Sequence, residues 1–302
     1  AGVMKNVMVD PNSFGHAVYT FFTLIVLAHD LLLIPYTIAW DIELEGAMLS
    51  TAWISCCFWT ADIFVNCVTG YQKHGRLELR FSNILRRYLQ TWFVPDMAFV
   101  ASDWFGLISA SAARQSQTAL GIRLLRFAKA GKLLRLVGLI RMMKAFKIVE
   151  DLIENSLSDF ARMSLRAFLM VCAMGWVNHF FGCAWYFVGR VAPSDTGMRW
   201  IDGSRYWRGD EMLFTEFDIW HQYVTSLHWS VAQFTLGSID VTAYNSFERL
   251  FNIMCLALGL VFGSTLVSML SAGMVDYQMR MMEKKGKLRR LSRYLRESKV
   301  SQ

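Results

Sequence analysis

Residues 120–149 read LGIRLLRFAKAGKLLRLVGLIRMMKAFKIV. A basic residue returns at every third position: Arg123, Arg126, Lys129, Lys132 and Arg135, then, past Gly138, Arg141, Lys144 and Lys147. On an α-helix this spacing advances the charge by about 300° per step, so the cations wind round the helix as a slow left-handed stripe. No Asp or Glu interrupts residues 104–149. A cation in hydrocarbon costs at least ~2.5 kcal/mol, so a chain keeps a row of them only where something uses them. A voltage sensor fits best, because each elementary charge crossing the field couples ~2.3 kcal/mol per 100 mV. The competing reading is a basic amphipathic helix on an acidic membrane surface or on nucleic acid, which gathers its cations on one face at spacings of three and four. Here the spacing stays at three and the neighbouring segments are strongly apolar, so no nucleic-acid partner is expected.

Composition agrees with a membrane setting. Of 302 residues, 54% are apolar, 14% aromatic and only 18% charged, and the mean hydropathy is positive. That is too apolar for an ordinary soluble protein and points to an all-α polytopic membrane protein. The net charge of +7 is concentrated in the periodic helix, one short loop and the C-terminal tail. Cys56, Cys57, Cys67, Cys172, Cys183 and Cys255 all lie in apolar segments without metal-ligand spacing, and read as small buried hydrophobes. No metal and no cofactor is expected. The sequence starts at Ala1 with no evident signal peptide.

Hydropathy predicts six spans, at about residues 16–40, 49–70, 88–108, 120–148, 165–188 and 247–275. Between the last two, a polar stretch (189–216) is followed by a shorter apolar segment, 219–234, that runs into a glycine-containing turn. A segment too short to cross the bilayer, leading into irregular backbone, reads as a re-entrant pore helix with a loop that lines water. A short interfacial helix is the alternative. Lys73, Arg76, Arg80, Arg86 and Arg87 lie in the loop after the second span, and nine basic residues lie in the tail 280–299. Asp41, Glu43 and Glu45 occupy the loop after the first span. The basic segments mark the cytoplasmic side, so both ends lie inside and the chain is expected to be multi-pass, in the plasma membrane.

An intramembrane cation needs partners. Asp30, Asp62 and Asp96 fall in the first three spans among apolar neighbours, and each is costly unless paired. Trp59 precedes Asp62 by about one helical turn and would serve as an aromatic lid over that acid, separating inner from outer water. The alternative is that these acids cap helices or help the bundle fold.

These segments together resemble channels of the cyclic-nucleotide-binding-domain group, which covers ether-à-go-go, hyperpolarisation-activated and cyclic-nucleotide-gated channels. VDPNSFGHAVYTFFTLIVLAHDLLLIPYTIAW (9–40) is similar to that group's first span, and FWTADIFVNCVTGYQKHGRLELRFSNILRRYLQTWFVPDMAF (58–99) to its second and third spans. The latter puts Asp62 and Asp96 at the group's countercharge positions. NHFFGCAWYFVG (178–189) and YNSFERLFNIMCLALG (244–259) resemble the fifth span and the start of the sixth. The charged helix resembles the hyperpolarisation-activated branch most, although Gly138 stands at its break and leaves gating polarity open.

The resemblance implies a cytoplasmic leading segment 1–15, a voltage-sensor domain 16–148, a pore domain 149–278 and the start of a C-linker at 279–302. It also implies a homotetramer, since one re-entrant loop per chain cannot enclose an ion path. A cyclic nucleotide would be a partner only if a binding domain followed residue 302. Acidic lipid is expected at the basic tail.

TLGSID (Thr235, Leu236, Gly237, Ser238, Ile239, Asp240) occupies the place of the potassium-channel filter Thr-Val-Gly-Tyr-Gly-Asp. Ser238 replaces the bracing aromatic and Ile239 the second glycine. A β-branched residue tolerates positive φ poorly, so the loop holds fewer carbonyl sites or places Ser238 hydroxyls near the axis. Either outcome weakens potassium selectivity, while Asp240 still attracts monovalent cations such as potassium or sodium. Gly259 and Gly263 read either as a gate hinge in the sixth span or as sites of close helix packing. The expected function is a voltage-gated cation channel, potassium-permeable and weakly selective. A potassium-selective channel and a voltage-sensing subunit with a poorly conducting pore are the alternatives. An enzyme is not expected: His179 in HFFGC (179–183) forms a poor metal motif, and no nucleophile with a base or phosphate loop is present.

Overall fold

The computed structural model describes residues 8–11, 13–43, 45–73, 76–115, 159–207 and 210–298. The chain divides into two compact units, residues 1–148 and 149–302. Among the described residues, four helices are long and apolar enough to cross a membrane: Phe14–Ala39, Gly46–Val68, Ala161–Val191 and Ser246–Glu297. The expected fourth span, with Arg123, Arg126, Lys129, Lys132, Arg135, Arg141, Lys144 and Lys147, lies outside the described residues.

In the first unit, Ser13 starts helix α1 (Phe14–Ala39) by accepting the His16 N–H at 3.2 Å. This satisfies one of the donors that a first helical turn leaves unpaired. After a turn at Asp41 (φ 52°), where a short polar side chain tolerates left-handed backbone, α2 runs Gly46–Val68. A two-stranded antiparallel hairpin follows, β1 (Tyr71–Lys73) with β2 (Arg76–Glu78). The Arg87 guanidinium lies over the Tyr71 ring at 4.0 Å and ties the hairpin to the next helix.

The expected third span is two helices: amphipathic α3 (Phe81–Thr91) and α4 (Phe93–Gln115). Pro95 accounts for the division. In a continuous helix its ring would meet the Thr91 carbonyl and one backbone bond would be missing, whereas in the first turn of α4 its lack of an N–H costs little. Ile84 and Tyr88 form the buried face of α3. Asp96 and Asp103 lower the hydropathy of α4, which is not among the four apolar helices. The core of this unit is Leu27, Trp59, Ile63, Tyr88 and Val100, with Phe58, Trp92, Phe93 and Trp104 packed against it.

In the second unit, α5 (Asp159–Val191), α6 (Ile219–Thr235) and α7 (Ser246–Glu297) form a three-helix assembly. α6 packs against both long helices, and two glycines set the approach. A Cβ at Gly182 would stand 3.1 Å from the Leu227 Cα, and one at Gly259 would stand 2.9 Å from the Phe234 Cα. The polar stretch between α5 and α6 carries its own order: a 3-10 turn (Trp200–Asp202), β3 (Ser204–Trp207) paired with β4 (Asp210–Leu213), and a second 3-10 turn (Phe214–Glu216). Trp200 and Phe214 from this stretch are buried and extend an aromatic stack. In that stack Trp185 lies 3.9 Å from Trp229 and 5.3 Å from Trp200. The sixth apolar run and the basic tail form one unbroken helix, α7, about 78 Å long at 1.5 Å per residue.

Candidate functional site

Each expected intramembrane acid is buried in the first unit, and each accepts hydrogen bonds from neutral donors. The Asp30 carboxylate accepts the Ser55 hydroxyl at 2.9 and 2.7 Å and the Trp59 indole N–H at 2.7 Å, with His29 Nδ1 at 3.2 Å. Asp62 accepts the Tyr19 hydroxyl at 2.5 Å and the Asn66 amide at 2.8 Å. Asp96 accepts the Tyr88 hydroxyl at 2.8 Å. Neutral donors orient a carboxylate and offset its desolvation without cancelling its charge, so these acids keep their attraction for a cation.

Trp59 makes a contact that the sequence did not announce. Its indole N–H engages Asp30 on α1, while its ring belongs to the apolar core cluster. One side chain thereby joins a hydrogen-bonded carboxylate to an apolar layer, one helical turn from Asp62 on α2. The donors Tyr19, Ser55 and Tyr88 were missed in the sequence. Asn66, four residues after Asp62 and therefore on the same helix face, was legible in principle. Asp103 was also missed; it lines a small cavity of ≈ 50 Å³ together with His29, Asp30 and Ser55.

In the second unit, α6 ends where the filter-like segment begins. Leu236 takes the left-handed conformation (φ 55°, ψ 33°) that closes a helix C-terminus, and its N–H and that of Gly237 both reach the Ala232 carbonyl. Glycine normally holds such a position. The positive φ thus falls on Leu236 and not on Ile239. Thr235 turns its hydroxyl back to the Val231 carbonyl at 2.7 Å. Gly237, Ser238 and Ile239 border an open recess of ≈ 450 Å³ that Arg249 and Asn252 of α7 also line. Thr235, Leu236, Gly237, Ser238 and Asp240 are exposed in the single chain. The carbonyl end of α6, which carries partial negative charge, leads directly into this segment.

The segment is held by polar contacts on both sides. Tyr186 donates to Gln222 at 2.6 Å, Ser230 to Asn178 at 3.2 Å, and His179 Nδ1 lies 3.0 Å from the Tyr223 hydroxyl, fixing α6 on α5. At the start of α7, Asn245 accepts the Glu248 N–H, and the fully buried Glu248 carboxylate accepts the Trp200 and Tyr244 N–H groups at 3.1 and 2.9 Å. Asp195 accepts both the N–H and the hydroxyl of Ser246, which hold its carboxyl below the usual range. Gly259 sits against the backbone of Phe234 and Gln233, whereas a Cβ at Gly263 would make only ordinary contact with the Phe234 carbonyl at 3.8 Å.

The ion transport protein family matches residues 16–283. Among curated relatives, the chain is 26% identical over 241 residues to the voltage-gated inwardly rectifying potassium channel KCNH6 of Gallus gallus, covering 74% of this chain and 18% of that one. It is 23% identical over 301 residues to potassium channel AKT2/3 of Arabidopsis thaliana, covering 97% of this chain and 34% of the relative. It is 24% identical over 216 residues to potassium channel SKOR of the same plant, covering 70% and 24%. The chain therefore spans between about a fifth and a third of the length of these relatives. The resemblance read from the sequence and these matches agree on the same channel group.

Proposed function

Because the chain belongs to the ion transport protein family, a family of multi-pass membrane channels and not of enzymes, we propose that it is a voltage-gated cation channel, permeable to potassium and weakly selective. The observation that carries this reading is the position of α6 between α5 and α7, with its carbonyl end running into Thr235–Leu236–Gly237–Ser238–Ile239–Asp240. Four such chains around an axis would enclose a path in which these backbones meet monovalent cations. Asp240 would concentrate cations at the outer mouth.

On this reading Arg123, Arg126, Lys129, Lys132 and Arg135 carry gating charge, while Arg141, Lys144 and Lys147, beyond Gly138, stay in cytoplasmic water. Asp62 and Asp96 serve as the inner countercharge site and Asp30 as an outer one. Trp59 belongs to the apolar layer between the two levels. Both chain ends face the cytoplasm, the channel sits in the plasma membrane, and the basic tail meets acidic lipid. A cyclic nucleotide would be a partner only if a binding domain followed residue 302. Close packing is favoured over a hinge at Gly259 by its distance to the Phe234 backbone; Gly263 retains room for a hinge.

One observation favours a second reading, a voltage-sensing subunit with a poorly conducting pore: Leu236 holds the left-handed position at the mouth of the filter-like segment. Bi-ionic reversal potentials of the reconstituted protein separate the readings. A small potassium-to-sodium shift supports weak selectivity, a shift near the full potassium Nernst value replaces it with strict selectivity, and no current at all supports the second reading.

A further inference from the structure

The chain that follows α6 leaves its backbone open. The Gly237 N–H reaches the Ala232 carbonyl at 2.7 Å. Beyond it, Ser238, Ile239, Val241, Thr242 and Ala243 make no hydrogen bond with any described residue. Each of these residues carries a backbone donor and a backbone acceptor, so the stretch holds several of both with nothing to fix them.

Three side chains in the same state line the ≈ 450 Å³ recess beside it: Gln233 from the last turn of α6, and Arg249 and Asn252 from the first two turns of α7. None of the three makes a side-chain hydrogen bond or ion pair among the described residues. Gln233 is buried, and Asn252 Oδ1 is wholly enclosed without a partner. A buried acceptor left unpaired is costly, which sets Asn252 apart from a polar residue that merely faces solvent. Arg249 and Asn252 stand three residues apart, so they share one face of α7. The close approach of Gly259 to the Phe234 and Gln233 backbone holds that face against the end of α6. The two sets complement each other: a guanidinium only donates, Asn252 Oδ1 accepts, and the open backbone offers both kinds of group.

We propose that Arg249 and Asn252 are positioning residues for the filter-like segment. Arg249 donates to the carbonyls of this segment that face the recess, and Asn252 Oδ1 accepts one of its N–H groups or the Ser238 hydroxyl, directly or through ordered water. With its rear face held from α7, the segment presents its remaining carbonyls to a monovalent cation in one fixed arrangement. Its cation affinity and selectivity are therefore set partly by α7 and not by residues 235–240 alone. The inference rests on reading residues 235–240 as the lining of an ion path.

Charge and positioning predict opposite signs, which gives the test. Removing a positive charge beside a cation path tightens cation binding, whereas releasing the segment weakens it. Thermal unfolding of the purified full chain, titrated with potassium chloride against choline chloride at constant ionic strength, reads cation affinity without any current. Potassium should stabilise the wild type. Arg249→Gln and Asn252→Leu should each weaken its affinity by about fivefold, the scale of one hydrogen bond. Arg249→Lys, which keeps the charge but loses the guanidinium fork, should also weaken it. Bi-ionic reversal potentials should show both variants moving the potassium-to-sodium permeability ratio towards one. Arg249 is exposed, so Arg249→Gln carries the test if Asn252→Leu fails to fold. Tighter potassium binding in Arg249→Gln, wild-type affinity in both variants, or a wild type that potassium does not stabilise would each overturn the proposal. Potassium stabilisation that weakens as predicted in a protein passing no current supports it, and removes only the conduction reading.

Discussion

The indole N–H of Trp59 on α2 donates a 2.7 Å hydrogen bond to the Asp30 carboxylate on α1, while the ring of the same residue fills the core between Leu27 and Ile63. Trp59 thereby fixes the carboxylate and seals the apolar layer beside it. Removing only the N–H separates the two roles. Trp59→Phe keeps an aromatic ring but deletes a charge-assisted bond, a loss of about 1.5–3 kcal/mol. Unfolding measured for Trp59→Phe, Asp30→Asn and the double variant should show strong non-additivity. Additive effects would mean that the bond contributes nothing of its own.

Tyr19 and Tyr88 hold Asp62 and Asp96 through single hydroxyls. Phenylalanine at either position leaves the carboxylate in place with one donor fewer, so its field on a passing cation strengthens. Tyr19→Phe should therefore shift the voltage midpoint of gating current, and Tyr19→Phe added to Asp62→Asn should shift it no further than Asp62→Asn alone. A full additional shift in the double variant would place the Tyr19 effect elsewhere.

Three of the four glycines of α7 predict a graded series. Alanine at Gly259 would set a Cβ 2.9 Å from the Phe234 Cα, and overpacking against backbone costs about 1–3 kcal/mol. At Gly263 the contact is ordinary, and at Gly273 nothing stands within 4 Å, so alanine there should stabilise the helix by up to about 1 kcal/mol. Thermal unfolding of the three variants checks the order. If Gly263→Ala leaves stability unchanged yet blocks opening, the hinge lies at Gly263.

Asp195 gives a pH dependence with a definite sign. Its hydrogen bonds with Ser246 lower its pKa in the folded state from the ordinary 3.8. The folded state therefore binds fewer protons, and the stabilisation is fully present above the unfolded pKa and disappears as pH falls through the folded value. Ser246→Ala raises the folded pKa towards 3.8. Melting temperature followed from about pH 5 to pH 2 should fall less steeply in the variant than in the wild type. Parallel curves would mean that the pair makes no contribution.

The apolar helices were legible because hydropathy over twenty residues is a local property of the chain. The acids were legible for the same reason: an Asp among apolar residues declares itself. Their donors were not, because Tyr19 reaches Asp62 across 43 positions and Ser55 reaches Asp30 across 25, and nothing in the sequence reports that closure. Trp59 was assigned to Asp62 by its helical spacing, whereas tertiary packing turned its N–H to α1. The third span was placed from hydropathy alone, while the physics of Pro95 starts a new helix at Phe93. The stretch 189–216 read as merely polar, yet Trp200 and Phe214 anchor it in the aromatic stack. Ile239 was expected to avoid positive φ, and the left-handed position is taken by Leu236, where α6 ends.

The central claim is that the stripe of cations in residues 120–148 moves in the membrane field and controls a cation path. Voltage-clamp recording of the full chain in planar bilayers, wild type against Arg126→Gln and Lys147→Gln, tests it most directly. The account predicts a cation current whose conductance depends on voltage, a markedly flatter dependence in Arg126→Gln, and a near-wild-type slope in Lys147→Gln. A current with no voltage dependence, or equal flattening by both substitutions, would contradict it.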